Sequence, residues 1–275
     1  MRRAGMSASI GWSAVVLAAG ALVGAAGCNA ISGIGKFDFQ GAGGAGQGGQ
    51  GATVSASSSS SSSSAGGSGG ESCLADVAAP TAASLIALLG KSKQVATGYK
   101  NDYDQAKGLS VFELGDAYLW EAGLSIDCDG KPASPCSERM PAPEPHTALQ
   151  SSKGEPLDPV NLPFLVLPGS DCGPFNFEAH GVVPGSTMAV VNEENNRVEY
   201  GVAGDTGDCE ALGSASYLMA NRLGIDADPS TGGRADKVLY IVFKGPCTML
   251  EEPEDHKEAE HRGEALATRL VKAAQ

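Results

Sequence analysis

Apolar side chains in this chain gather in short runs separated by polar and glycine-rich turns, a spacing that predicts strands more often than helices. Strands are expected over residues 111–120, 162–167, 187–191, 197–203 and 237–243. Between the third and fourth of these, Asn192-Glu193-Glu194-Asn195-Asn196 reads as a polar hairpin turn. Three stretches carry helical signals instead. Residues 81–89 end at Gly90, where a glycine suits the left-handed position that closes a helix. Residues 214–223 set Tyr217, Leu218 and Leu223 on one side and stop at Gly224, with Ser214 as the expected N-cap. Residues 253–273 open on an acidic, proline-containing turn and carry Ala259, Leu266 and Leu270. Short strands with only about three helices predict a β-rich α+β domain rather than alternating βαβ units.

The first 70 residues break this pattern. Arg2 and Arg3 precede an apolar run over residues 13–27, and Ala25-Ala26-Gly27 stands before Cys28. This is the layout of an export signal, and its small-residue ending before cysteine is similar to a bacterial lipobox. A lipoprotein signal peptide is therefore expected at 1–27, with Cys28 lipidated and anchoring the chain to a membrane of the cell envelope. Residues 41–70 are almost entirely glycine, serine, alanine and glutamine, which cannot bury apolar surface. The segment 28–70 is expected to be a disordered tether whose last thirty residues reach about 30 Å on average. The remainder, 71–275, is expected to be one catalytic domain and a monomer.

Charge narrows the partners. The chain holds 19 basic and 32 acidic side chains, and only Arg2, Arg3, Lys36 and Asp38 fall within residues 1–70, so 71–275 carries a net −15. That field repels nucleic acid and favours a polycationic partner. Setting Cys28 aside leaves six cysteines, an even set compatible with three disulfides, in which Cys128 and Cys136 would close the shortest loop. No CxxC or His/Cys cluster suggests zinc, and no cofactor is implied. His146, His180, His256 and His261 show no ligand spacing and are expected on the surface. Asp127, Asp129 and Glu138 match oxygen positions of a calcium loop, but Lys131 and Pro132 occupy positions that the loop reserves for a ligand and a glycine.

The richest stretch for chemistry is YGVAGDTG at 200–207. An apolar strand delivers Asp205 onto a glycine-flanked turn, where a backbone approaches a ligand closely. No G-x-S-x-G elbow, phosphate loop or dinucleotide fingerprint competes with it.

Seven segments in order, GDAYLW at 115–120, LSIDCDG at 124–130, LPFLVLP at 162–168, TMAVV at 187–191, YGVAGDTG at 200–207, GSASY at 213–217 and VLYIVF at 238–243, carry a resemblance. Over about 109–272 the chain resembles glycoside hydrolase family 75, the chitosanases. The resemblance implies endo-acting hydrolysis of β-1,4-linked glucosamine polymers by an inverting mechanism. It implies an Asp in the Gly-Asp-Thr turn, matched by Asp205, and a Glu in a later Gly-Glu-Ala-Ser segment, where this chain has Ser214. Glu210 is then the expected partner carboxylate, with Asp127, Asp129, Thr206 and Ser214 binding substrate. The alternative reading is a chitosan binder without turnover. The strand–turn–helix segment is also similar to that of double-psi β-barrels, so a small β-barrel, with the double-psi type as one candidate, is the expected architecture.

Overall fold

The computed structural model describes residues 78–139 and 141–275, all within one compact unit. The expected signal segment 1–27, the lipidation site Cys28, the tether 28–70 and Cys73 lie outside the described residues. Among the described residues no helix is long and apolar enough to cross a membrane.

The domain is α+β and strongly β. Helix α1 (Ala82–Leu89) is followed by strands β1 (Lys93–Asn101), β2 (Lys107–Leu114), β3 (Ala117–Asp127), β4 (Phe164–Pro168), β5 (Thr187–Asn192), β6 (Arg197–Gly207), β7 (Ala211–Leu212) and β8 (Ser214–Ser216). Helix α2 (Tyr217–Arg222), strand β9 (Arg234–Phe243) and helix α3 (His256–Ala273) complete it. Six strands close into a barrel in the order β3-β8-β4-β6-β5-β9, because β9 pairs back onto β3. The pairs β3–β8 and β4–β6 are parallel and the other four are antiparallel. Strands β2, β1 and β7 extend the sheet from β3.

Closure explains why these strands read as unbroken apolar runs. Along β9, Val238, Tyr240 and Val242 fill the barrel with Trp120, Met188 and Val190, while Leu239, Ile241 and Phe243 face Leu85, Leu88, Leu266 and Leu270 of α1 and α3. Both faces are buried, so the period of two divides one apolar cluster from another rather than apolar from polar. Trp120 and Tyr240 stack at 5.4 Å in the interior.

The structure corrects three local expectations. The predicted strand 111–120 is a hairpin, since the Gly115-Asp116 turn separates β2 from β3 within a continuous apolar run. Ser214 caps no helix; pairing with Ser125 of β3 and Val166 of β4 draws 214–216 into a strand, and Ser216 caps α2 instead, its hydroxyl accepting from Met219 N. Gly90 is right-handed, with φ −69°, because α1 closes through the Gly90 amide donating to Leu88 O. Strand β1 went unpredicted because it is mostly exposed and polar.

Helix α3 rests on β6 through a glycine. A Cβ at Gly263 would stand 2.4 Å from Cδ1 of Tyr200, whose ring occupies the space. Gly263→Ala is expected to lower stability by about 1 to 2 kcal/mol, the clash outweighing the roughly 1 kcal/mol gain in helix propensity; a thermal unfolding curve measures it, and an unchanged or higher midpoint would contradict this packing.

Candidate active site

One end of the barrel carries a cleft built from strand ends. Strand β3 ends at Asp127, β6 brings Asp205 and Thr206, and β8 begins at Ser214. A bulge sets Asp205 in place: Leu165 of β4 faces Ala203 but Val166 faces Asp205, so Gly204 is the extra residue. Only glycine fits there, since a Cβ at 204 would lie 2.7 Å from Cβ of Phe164 and 2.8 Å from Cδ1 of Leu157.

The cleft, of about 460 Å³, is lined by Asp102, Asp127, Asp129, Asp205, Thr206, Asp208 and Ser214, with Val166 and Leu167 among the apolar walls. A second lobe of about 720 Å³ shares Asp102, Asp127, Asp129 and Ser214 and runs on to Arg139 and Glu144. Together they make an acidic groove rather than a closed pocket. Asp127, Asp129 and Asp205 converge, with one carboxylate oxygen from each within 4.8 Å of the others.

Asp127 and Asp205 are both buried, each 8% exposed, and differ in their partners. Asp205 Oδ1 accepts from the amides of Ala148 and Thr206, each at 2.8 Å. Burial pushes its carboxyl up from the usual carboxylate range, these two amides pull it down, and the Asp129 charge adds to the rise. Asp127 Oδ1 accepts one amide, that of Asp129 at 3.0 Å. Burial, chiefly, and the nearby charges of Asp129 and Asp205 push Asp127 up to about 7, against the lowering pull of the Asp129 amide and Arg139. Arg139 donates from Nη1 to Ile126 O at 3.0 Å and so is held beside the cluster without pairing directly with it. The loop stays in place through the Cys128–Cys136 disulfide, which follows Asp127 immediately, and through Asp129 Oδ1, which accepts from Glu144 N at 2.8 Å.

The expected partner Glu210 lies elsewhere. Its Oε2 is 2.6 Å from Lys100 Nζ, its side chain is 59% exposed, and it lines neither lobe. The Cys172–Cys209 disulfide and the Lys100 amide, which donates to Glu210 O at 2.7 Å, hold that loop against β1. Asp127, Asp129, Thr206 and Ser214 do reach the cleft, as does Asp208. Asp102 was missed: it follows a polar strand and reaches the cleft only through pairing distant in sequence. Besides the two pairs above, Cys247 is also disulfide-bonded.

His180 is exposed, as expected, while His256 is half-buried. His180 stacks on Phe175 at 4.4 Å and places Nδ1 2.7 Å from Asn176 O. His256, 18% exposed, has Nε2 3.1 Å from Oε1 of Glu199 and 3.1 Å from Oε1 of Glu260.

The family described as fungal chitosanase of glycosyl hydrolase group 75 matches residues 124–272, which include every one of the cleft residues named above except Asp102. An endo-chitosanase of Aspergillus oryzae is 32% identical over 188 residues, covering 60% of this chain and 76% of that protein. An endo-chitosanase B of Aspergillus oryzae is 33% identical over 181 residues, covering 62% of this chain and 73% of that one.

The shift of Asp127 has a thermodynamic consequence. A carboxyl whose folded pKa lies above its unfolded value favours the fold fully below the unfolded value, here near 3.8, and loses that contribution as pH rises through about 7. Asp127→Asn keeps the Oδ1 acceptor and removes the buried charge. It is expected to match the parent near pH 4 and to be more stable at pH 8, by about 4 kcal/mol at most. Urea unfolding at the two pH values tests this, and equal stability at pH 8 would contradict the burial of a charge at Asp127.

Proposed function

Because the chain belongs to glycosyl hydrolase group 75, we propose that it hydrolyses chitosan within the chain, with Asp127 and Asp205 as the acid–base pair in place of a glutamate at position 214. The observation that carries this reading is the convergence of two buried carboxyls, unequally hydrogen-bonded, in an open groove lined by further aspartates. A polymer of protonated glucosamine brings positive charge to that groove, and the groove has two lobes along which a chain can lie.

Asp127, protonated up to about pH 7, donates its proton to the glycosidic oxygen as the bond to C1 breaks. Asp205, whose Oδ1 is held by two amides, takes a proton from the attacking water through its other oxygen. The water's oxygen joins C1, and the leaving sugar keeps the donated proton as its 4-hydroxyl. Asp127 and Asp205 approach within 4.8 Å, closer than the roughly 6.5 to 9.5 Å that separates a pair with a water between. That spacing is nearer the roughly 5 to 5.5 Å of a retaining pair, so the inverting course implied by the family likeness requires the two carboxyls to part when the chain binds, and the anomer released decides between the two courses.

Asp205→Asn and Asp127→Asn are each expected to lower kcat by about 10² to 10⁴, measured as reducing ends released from chitosan, with binding of the polymer retained. In the parent, kcat/KM falls above about pH 7 as Asp127 loses its proton. The first sugar released is the α-anomer by proton magnetic resonance; the β-anomer would make Asp205 a nucleophile instead. Full activity in Asp205→Asn would overturn the assignment.

Serine at the glutamate position favours a second reading, a chitosan-binding protein without turnover. It is supported if the parent binds chitosan in a salt-sensitive way, releases no reducing ends, and gains hydrolysis in Ser214→Glu.

A further inference from the structure

Away from the cleft, we propose that Glu199, His256 and Glu260 form a binding site for a divalent metal ion of the zinc type that joins the start of α3 to β6. Each residue offers one ligand atom, and the three atoms lie within 4.8 Å of one another. Nε2 of His256 stands 3.1 Å from Oε1 of Glu199 and 3.1 Å from Oε1 of Glu260.

These distances suit hydrogen bonds, but the directions do not. Among the described residues, His256 Nε2 and Glu199 Oε1 are buried without a hydrogen-bond partner, so an N–H on the ring would point at neither carboxylate. Groups that surround an ion behave this way: their lone pairs aim at a common point and not at one another. Ligands about 2.0 to 2.2 Å from zinc stand roughly 3 Å apart, which is the spacing of His256 Nε2 from each carboxylate.

Burial supplies the second reason. The Glu199 side chain is 9% exposed, and a carboxylate so far from water needs a charged partner or an ion. Two neighbouring carboxylates of this turn are already engaged. Glu258 pairs with Arg262, and Asp255 Oδ1 accepts from Glu258 N at 3.1 Å as the cap of α3. Two carboxylates and a neutral imidazole carry −2, which a divalent cation offsets.

The donor set selects the metal class. One imidazole nitrogen with two carboxylate oxygens suits zinc and its neighbours, whereas calcium and magnesium favour oxygen alone. His256 and Glu260 are four apart and share a face of α3, and Glu199 comes from the strand beneath. Glu260 is 43% exposed, so a water can complete the coordination from the solvent side. The ion would hold α3 against the strand that carries Asp205 six residues further on; this inference does not depend on the proposed hydrolysis.

The test uses the untagged full chain, stripped with a chelator and titrated with Zn²⁺ by calorimetry and with Co²⁺ by visible absorption. One equivalent is expected to bind, with a Co²⁺ ligand-field band, and saturating Zn²⁺ is expected to raise the unfolding midpoint by about 5 °C or more. His256→Ala and Glu260→Gln, both at partly exposed positions, should each weaken Zn²⁺ binding by about 100-fold or more, beyond what loss of an outer partner does. Asp127→Asn and Asp205→Asn should leave it unchanged. A protonated His256 that simply bridges two glutamates predicts no saturable binding, and that result overturns the proposal. So does binding that survives His256→Ala, or binding lost only in the cleft variants.

Discussion

The pairing of β9 with β3 closes the barrel, and the remaining structure follows from that closure. Seven register pairs from Ala117–Phe243 to Leu124–Arg234 join the two strands. Without them the six strands would form an open sheet with two edges and one face to spare. With them, every barrel strand has a neighbour on each side, the interior is filled by Trp120, Tyr240 and their neighbours, and the outer face is left for α1 and α3. Catalytic chemistry is then confined to the mouth, where strands end and backbone can diverge. Asp127 and Ser214 stand at such ends, and Asp205 follows the bulge at Gly204.

The same closure decides what could be read from the chain beforehand. Strands over 187–191, 197–203 and 237–243 were legible because two-sided burial leaves long apolar runs with β-branched residues. Asp205 was legible for a local reason, a carboxylate on a glycine-flanked turn. Its neighbour was not. Asp127 meets Asp205 through the parallel pairing of β3 with β8, the pairing of β8 with β4 and that of β4 with β6, contacts between strands distant in sequence that no local pattern encodes. Glu210 was attractive on proximity in sequence, yet a disulfide at Cys209 and an ion pair with Lys100 decide where it points. His256 escaped for a similar reason: i,i+4 spacing to Glu260 was visible, but Glu199 lies on a strand 57 residues earlier.

The cleft is also electrostatically incomplete. Asp102, Asp127, Asp129, Asp205 and Asp208 line it; Lys100 is paired with Glu210, and Arg139, bonded to Ile126 O, offsets the Asp127 charge only in part. Backbone amides hold four of these aspartates in place, Asp127, Asp129, Asp205 and Asp208. Amides orient a carboxylate without cancelling its charge, so repulsion within the cluster persists and adds to the rise of Asp127 and Asp205. A bound cationic chain relieves this repulsion by its own ammonium groups. Cation binding and the acidity of Asp127 are therefore linked, since each positive charge that enters the groove lowers the pKa of that carboxyl.

Serine at position 214 fits this balance. Its strand sits between β3 and β4, so a side chain there enters the cleft beside Asp127 and Asp205. A glutamate at that point would add another acidic group to a mouth already lined by five aspartates, and its charge would repel those of Asp127 and Asp205. A hydroxyl adds no charge, leaves the proton with Asp127, and keeps space for water. The serine at 214 is thus compatible with the proposed use of Asp127 as the acid, since it adds no charge to a groove in which burial already favours the protonated form of Asp127.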